Sequence, residues 1–168
     1  RTELSGVRAG QTDPSRNAYA EAKSTSGGIL SGNGANAKAW LAYTISTDVT
    51  GALRGTSGTS SRITLGSDAN TATAESFASG KVFGGVAIGA TLSSAGQEAG
   101  KVASVRTTFT DATVTGQNVS LRATNDPTVR TTAESGSGGL VAGSGAEVDQ
   151  RINAKTALTF AGTTTLAG

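Results

Sequence analysis

Three segments of this sequence present the same features in the same order. Each has an Ala-Glu-small triplet, then a double glycine followed by an apolar run, then a Thr-rich stretch that ends in glycine. The double glycines begin at Gly27, Gly84 and Gly138, at nearly equal intervals along the chain. Self-similarity at a regular spacing is typical of repeat proteins, in which each unit buries its apolar surface against its neighbours. The sequence therefore predicts a fold built from stacked units.

The 168 residues are predicted to form a single repeat array of three units, at about residues 1–62, 63–118 and 119–168. The first unit is longer than the others because it contains an insert at residues 52–62 that is rich in Gly, Ser and Thr. Such a composition favours an exposed loop.

The composition favours thin layers of β-strands over a deep core. Glycine accounts for 24 residues and aromatic residues for only 4% of the chain, while Ala, Val, Thr and Ser are abundant. Small side chains suit strands about 4.8 Å apart, and the alternation of small and polar residues has the period of a strand. Residues 35–42 have some helix propensity, but the corresponding residues 90–95 and 146–152 contain β-branched residues. All three segments are therefore predicted to be strands.

The predicted fold class is all-β: a repetitive β-solenoid, similar to a parallel β-helix, with about four strands in each unit. The alternative is a β-sandwich fibre subunit that exchanges strands with its neighbours. Three aromatic residues lie at similar positions before the closing glycine of each unit and are expected to be buried and aligned along the stack: Tyr43, Phe109 and Phe160.

The Ala-Glu-small triplets place a glutamate in each unit, at Glu21, Glu75 and Glu134. If each unit formed a single layer, these equivalent carboxylates would lie about 4.8 Å apart and repel each other. Units of two or three coils avoid this repulsion, as do long antiparallel strands, and multi-coil units are the expectation.

No catalytic, cofactor-binding or metal-binding residue is predicted. Histidine and cysteine are absent, and no glycine-rich phosphate-binding motif is complete. The closest pair of carboxylates, Glu147 and Asp149, has the spacing of a glycosidase or calcium site but lacks surrounding acids, so a solvated strand face is favoured. Charges are scattered singly, with a net charge of +2, which predicts no nucleic-acid binding. No apolar run is long enough to cross a bilayer, so no membrane span is predicted.

Residues 132–148 read Thr-Ala-Glu-Ser-Gly-Ser-Gly-Gly-Leu-Val-Ala-Gly-Ser-Gly-Ala-Glu-Val. This segment resembles the repeats of very large bacterial surface proteins, the filamentous-haemagglutinin-like and leukotoxin-type adhesins, which contain Ala-Thr-Ala tracts and Gly-Gly-x-x-Ala segments. The resemblance extends over nearly the whole chain. It implies an exported prokaryotic protein at the cell surface or outside the cell, and it supplies no catalytic residues.

The predicted function is that of a structural or adhesive segment of an extracellular fibre, with no enzyme activity and no cofactor. The predicted partners are identical or neighbouring repeat units, joined end to end by β-strand stacking, together with surface glycans. The alternatives are a carbohydrate-acting β-helix enzyme, such as a calcium-dependent lyase, and a pilin-like subunit.

Neither terminus carries a cap that would finish a stack. The sequence therefore predicts either a piece of a longer array or a subunit that polymerises.

Overall fold

The computed structural model describes residues 18–55, 62–69 and 72–167. This part of the chain is all-β, with 87% of it in strands and no helix, which confirms the predicted all-β class. The predicted first strand near residues 4–9 lies outside the described residues. The strands, in chain order, are β1 (Ala18–Trp40), β2 (Tyr43–Arg54), β3 (Arg62–Ala69), β4 (Thr73–Gly96), β5 (Ala103–Thr115), β6 (Asn118–Asn125), β7 (Thr128–Arg151), β8 (Ala154–Ala161) and β9 (Thr165–Ala167).

Every strand pairing in the described part of the chain is parallel. The first sheet has the order β1-β4-β7, the second has the order β2-β5-β8 with β9 also paired to β5, and the third contains β3 and β6. Parallel pairing does not fit the β-sandwich alternative, because such sandwiches are built from antiparallel sheets. We call β1–β3, β4–β6 and β7–β9 the first, middle and last tiers.

Strands in adjacent tiers pair directly, with no strand between them. Ala18 of β1 lies opposite Ala74 of β4, and Ala74 in turn lies opposite Val129 of β7. The expectation of two or three coils per unit is therefore wrong, and so is the alternative of long antiparallel strands. We call such a set of residues, each paired with the next across adjacent strands, a column. The two steps along this column cover nearly the same length of chain.

The glutamates on which the multi-coil expectation depends do not lie in one column. Each faces a residue of another type in an adjacent tier: Glu21 faces Phe77, Glu75 faces Arg130, and Glu134 faces Ser79. The repulsion between stacked carboxylates therefore does not arise. The interpretation of the three glutamates as equivalent is wrong, because the observed register sets Glu75 two residues from the partner of Glu21 and Glu134 four residues from the partner of Glu75. These even offsets keep all three carboxylates on the outward face but place them in different columns.

The alternation of inward and outward side chains explains the register of the double glycines. The observed pairing aligns Gly28, Gly84 and Gly139. Matching the first glycine of each pair, as the sequence intervals suggest, would shift the strands by one residue. Such a shift would turn every buried side chain outward, so the hydrophobic pattern excludes it.

The long strands β1, β4 and β7 fold back near their double glycines, so that two arms of the same strand face each other. In β4, the hydroxyl groups of Ser76 and Ser93 are 2.6 Å apart. In β1, the Ser26 hydroxyl donates a hydrogen bond to the carbonyl oxygen of Gly32 at 2.9 Å. Two segments predicted as separate strands in each unit are therefore the two arms of one strand. Small inward residues allow these arms to approach closely, which accounts for the abundance of Ala, Ser and Gly.

The segments predicted as strands despite some helix propensity are confirmed. Residues 35–40 lie in β1, residues 90–95 in β4 and residues 146–151 in β7. The insert at residues 52–62 is only partly a loop, because residues 52–54 extend β2 and Arg62 begins β3. Residues 56–61 lie outside the described part.

The prediction that the three aromatic residues are buried and aligned is only partly right, because Phe160 is exposed rather than buried. Phe109 lies opposite Phe160 and the two rings stack with centroids 5.3 Å apart. Tyr43 is buried but lies opposite Ala103, and Val49 is the residue that faces Phe109. The predicted alignment of Tyr43 is wrong because it counts from closing glycines that do not pair. Gly51 and Gly116 are in different columns, and β5 also contains an extra residue at Asp111. These columns surround a core of alanine, valine and threonine between the sheets.

Candidate assembly surface

The last tier exposes apolar side chains whose partners in the middle tier are buried. Phe109 has no exposed surface, whereas Phe160, directly opposite, is 48% exposed. Val114 is likewise fully buried and its partner Leu166 is 44% exposed. The paired residues have the same orientation, so the difference arises because the middle tier is covered on both sides and the last tier on one.

The inward positions of β7 show the same contrast. Ser93 of β4 is buried, whereas Val148, its partner in β7, is 50% exposed. The arms of β7 do meet, since the side-chain amide of Gln150 donates a hydrogen bond to the carbonyl oxygen of Val129 at 2.6 Å. The inward side chains of β7 are thus arranged as in β4, but no strand of the described residues lies beyond β7 to cover them.

The outer edge of β7, on the side away from β4, also has unpaired backbone groups within the described part of the chain. The long strand β7 pairs with β4 along one edge, and no strand of the described residues pairs with its other edge. The outer edges of β1 and β2 are open in the same sense within the described part of the chain. Long unpaired edges present N–H and C=O groups that template the addition of another strand. We call the outer side of β7–β9 the last-tier face and the outer side of β1–β3 the first-tier face.

A second exposed surface lies where the long strands fold back. Apolar side chains of all three tiers project there, and Leu140 at 95% is the most exposed of them. We call this surface the corner ridge; its members are Ile29, Leu30, Val86, Ile88, Leu140 and Val141. Contiguous exposed apolar residues are characteristic of interaction surfaces.

Two glycines at the corner have no room for a side chain. A Cβ atom on Gly84 would overlap the carbonyl oxygen of Gly28, and one on Gly139 would overlap the carbonyl oxygen of Gly84. In each case the Cβ position points at the preceding tier. The tiers therefore approach so closely at the corner that glycine is required in the middle and last tiers.

Charged residues link adjacent tiers at the surface. The guanidinium of Arg122 in β6 forms an ion pair with the carboxylate of Asp68 in β3, at 2.6 Å. Lys23 and Glu21 form an ion pair along β1. The hydrogen bond and charge of Glu21 raise the pKa of the Lys23 ammonium, and the charge of Glu134, two tiers away, adds to this effect.

The carboxylates considered as a calcium or glycosidase pair belong to the surface of β7. Glu147 is exposed, and Asp149 forms an ion pair with Arg151 at 2.7 Å. Within residues 18–55, 62–69 and 72–167, no group of three or more acidic residues that could hold a metal ion is found. No helix in the described part is long and apolar enough to cross a membrane.

Sequence reasoning missed the end faces as surfaces with their own side-chain pattern. The sequence signal that helps to find them is the alternation of inward and outward residues, because it excludes pairings shifted by one residue. Comparisons with protein-family models, with curated proteins and with solved structures found no match.

Proposed function

We propose that this chain is a structural segment of an extracellular or cell-surface fibre, in which successive tiers stack as the turns of a β-solenoid. The observation that carries this proposal is the half-covered state of the last tier. Phe160 and Leu166 continue the columns of Phe109 and Val114 but remain about half exposed. Another tier on that side would bury them in the way the last tier buries its partners.

The solenoid interpretation is supported by the regularity of the register. All pairings among the described strands are parallel, and the column of Ala18, Ala74 and Val129 returns to the first sheet at a nearly constant interval. Such a regular return to the same sheet is what a solenoid turn requires. The three sequence repeats then correspond to three turns.

An adhesive role is supported by the corner ridge and by the resemblance to bacterial surface adhesins. In a fibre, the ridge would run along the stack with a repeat of about 4.8 Å per turn. Many weak contacts from such a linear array add up to strong binding through multivalency. Surface glycans are the proposed ligands, and the resemblance points to an exported prokaryotic protein.

Light scattering and electron microscopy on the purified 168-residue chain test the fibre proposal. We expect unbranched filaments to appear above a critical protein concentration. A monomer that persists at millimolar concentration would contradict the proposal. Incubation with a panel of polysaccharides and calcium tests the enzyme alternative, and any robust turnover would overturn the non-enzymatic role.

A further inference from the structure

Gly28 is a glycine that contacts within the described residues do not require. Its backbone lies outside the left-handed region, and a Cβ atom placed on it would meet only the Leu30 carbonyl oxygen, at 3.5 Å, an ordinary van der Waals distance. Gly84 and Gly139, its partners in the other tiers, have Cβ positions that overlap a carbonyl oxygen of the preceding tier. The equivalent direction at Gly28 points away from β4. Glycine is therefore needed at this position once another tier pairs with the outer edge of β1.

The corner of β7 matches the corner of β1. Placing Gly139 opposite Gly28 superimposes the two double glycines, Gly27-Gly28 and Gly138-Gly139. The apolar pairs that follow, Ile29-Leu30 and Leu140-Val141, then also face each other. The middle tier matches either strand less well, because its double glycine is displaced by one residue in the observed register. The last tier of one chain thus has the sequence features expected of a tier that pairs with the outer edge of β1.

The charges in this register are complementary. Glu134 of β7 would face Lys23 of β1, and Asp149 would face Lys38; all four side chains lie on the outward faces of their strands. Two arginines of β7 would lie opposite aromatic residues of β1, Arg130 opposite Tyr19 and Arg151 opposite Trp40. Such neighbours favour cation–π contacts. No like charges would face each other along the two strands. Opposite charges directly across paired strands are stabilising, whereas like charges are destabilising.

The second sheet continues in the same way. Val49, Phe109 and Phe160 form one column, and Leu53, Val114 and Leu166 form another. If the tiers kept the same order, Phe160 would face Val49 of the next chain and Leu166 would face Leu53. Both apolar columns would then run without interruption across the junction.

Other registers are disfavoured. A shift by one residue would place inward side chains against outward ones. A shift by two residues in one direction would place Glu134 against Glu21 and Arg151 against Lys38, two pairs of like charge. The opposite shift of two residues would place Leu30 against Gly139, at a corner where the tiers leave no room for a Cβ atom.

We propose that the last-tier face of one copy pairs in parallel with the first-tier face of a second copy, with Gly139 opposite Gly28, Glu134 opposite Lys23 and Asp149 opposite Lys38. This junction rests on the fibre function proposed above and specifies its partner and register. It is a head-to-tail contact, so copies add without closing into a dimer.

The test compares Gly28→Ala with Gly27→Ala in the full 168-residue chain. A Cβ on Gly27 would lie 3.6 Å from the Phe83 carbonyl oxygen, so both variants keep ordinary contacts within their own chain and are expected to fold alike. Only the Cβ on residue 28 would point at the carbonyl oxygen of Gly139 in the neighbouring copy. We expect Gly28→Ala to raise the critical concentration for filaments by at least about tenfold, the equivalent of about 1.4 kcal/mol, and Gly27→Ala to leave it unchanged. Circular dichroism and the urea midpoint serve as the folding control.

A charge exchange tests the register independently. Glu134→Lys should raise the critical concentration by about three- to tenfold at low salt, because it turns an attraction into a repulsion of an exposed pair. Adding Lys23→Glu to the same chain should restore assembly, and both effects should shrink as salt is raised.

The possible outcomes distinguish a failure of the proposed junction from a failure of the proposed fibre function. If the wild-type chain forms filaments but Gly28→Ala assembles as readily as Gly27→Ala, or if Lys23→Glu fails to rescue Glu134→Lys, the register is overturned while the fibre function stands. If assembly stops at a dimer, two copies of one face are pairing with each other and the head-to-tail junction is wrong. If the wild-type chain does not assemble, both proposals fall.

Discussion

Replacing Phe109 with alanine is expected to lower the free energy of unfolding by about 3–5 kcal/mol, the range for large aromatic residues deleted from a core. Phe109 has no exposed surface and packs in a cluster with Ile63, Ala112 and Val114. Its ring also stacks on Phe160, a contact worth about 0.5–1.5 kcal/mol in addition to burial. Because the loss of this stacking adds to the loss of burial, the cost should lie in the upper half of the range.

Phe160→Ala is the matched control, because it removes the other ring of the same stacked pair. Phe160 is 48% exposed, so its removal should cost roughly half as much as that of Phe109, about 1.5–2.5 kcal/mol. Urea unfolding followed by the fluorescence of the single tryptophan, Trp40, measures both values below the concentration at which filaments form. A loss below about 1 kcal/mol for Phe109→Ala, or equal losses for the two variants, would refute the assignment of Phe109 to a covered tier and Phe160 to a half-covered one.

Two further substitutions test the close approach of the tiers and the buried tyrosine. Gly84→Ala should lower the free energy of unfolding by at least about 2 kcal/mol, because the new Cβ atom overlaps the Gly28 carbonyl oxygen and disrupts the pairing of β1 with β4. Gly143→Ala is the control, since its Cβ atom meets nothing within 4 Å and should change that free energy by less than about 0.5 kcal/mol. Urea unfolding measures both values. Burial raises the pKa of the Tyr43 phenol, whose hydroxyl donates to the Asn125 side-chain oxygen at 2.6 Å. The stability this provides is complete below the ordinary tyrosine pKa of about 10 and is lost as pH rises above it, so an absorbance titration should show a late-ionising tyrosine that Tyr43→Phe removes.

Much of the fold is predictable from local patterns in the sequence. Alternating small and polar residues identify the strands, including residues 35–40, where helix propensity points the other way. The recurrence of glycine pairs marks the corner at which the long strands fold back. The partnership of Phe109 with Phe160 also follows from sequence position alone.

The register between tiers could not be predicted by matching similar residues. Sequence comparison aligns Glu21 with Glu75 and Tyr43 with Phe109, whereas strand pairing aligns Glu21 with Phe77 and Tyr43 with Ala103. For the double glycines of β1 and β4, sequence matching misses the observed register by one residue, which would exchange inward for outward positions. For the glutamates it misses the register by two residues, a difference that alternation does not exclude. A bulge at Asp111 shifts the register between β2 and β5 by one further residue, and no local sequence pattern predicts this bulge.

The end faces depend on that register and were therefore missed as specific surfaces. Glu134 and Lys23 are far apart in the sequence, and they share no local motif. Their relation becomes visible only when the columns of the first sheet are known, because Ser79 lies between them in the same column.

X-ray diffraction from aligned filaments tests the central claim most directly, namely that the tiers stack along a fibre through strand pairing. Strands perpendicular to the fibre axis produce a meridional reflection at about 4.8 Å. The account predicts this reflection together with a weaker equatorial reflection at about 10 Å. A reflection at about 4.8 Å on the equator would mean that the strands run along the fibre. That result would contradict assembly through the tier faces.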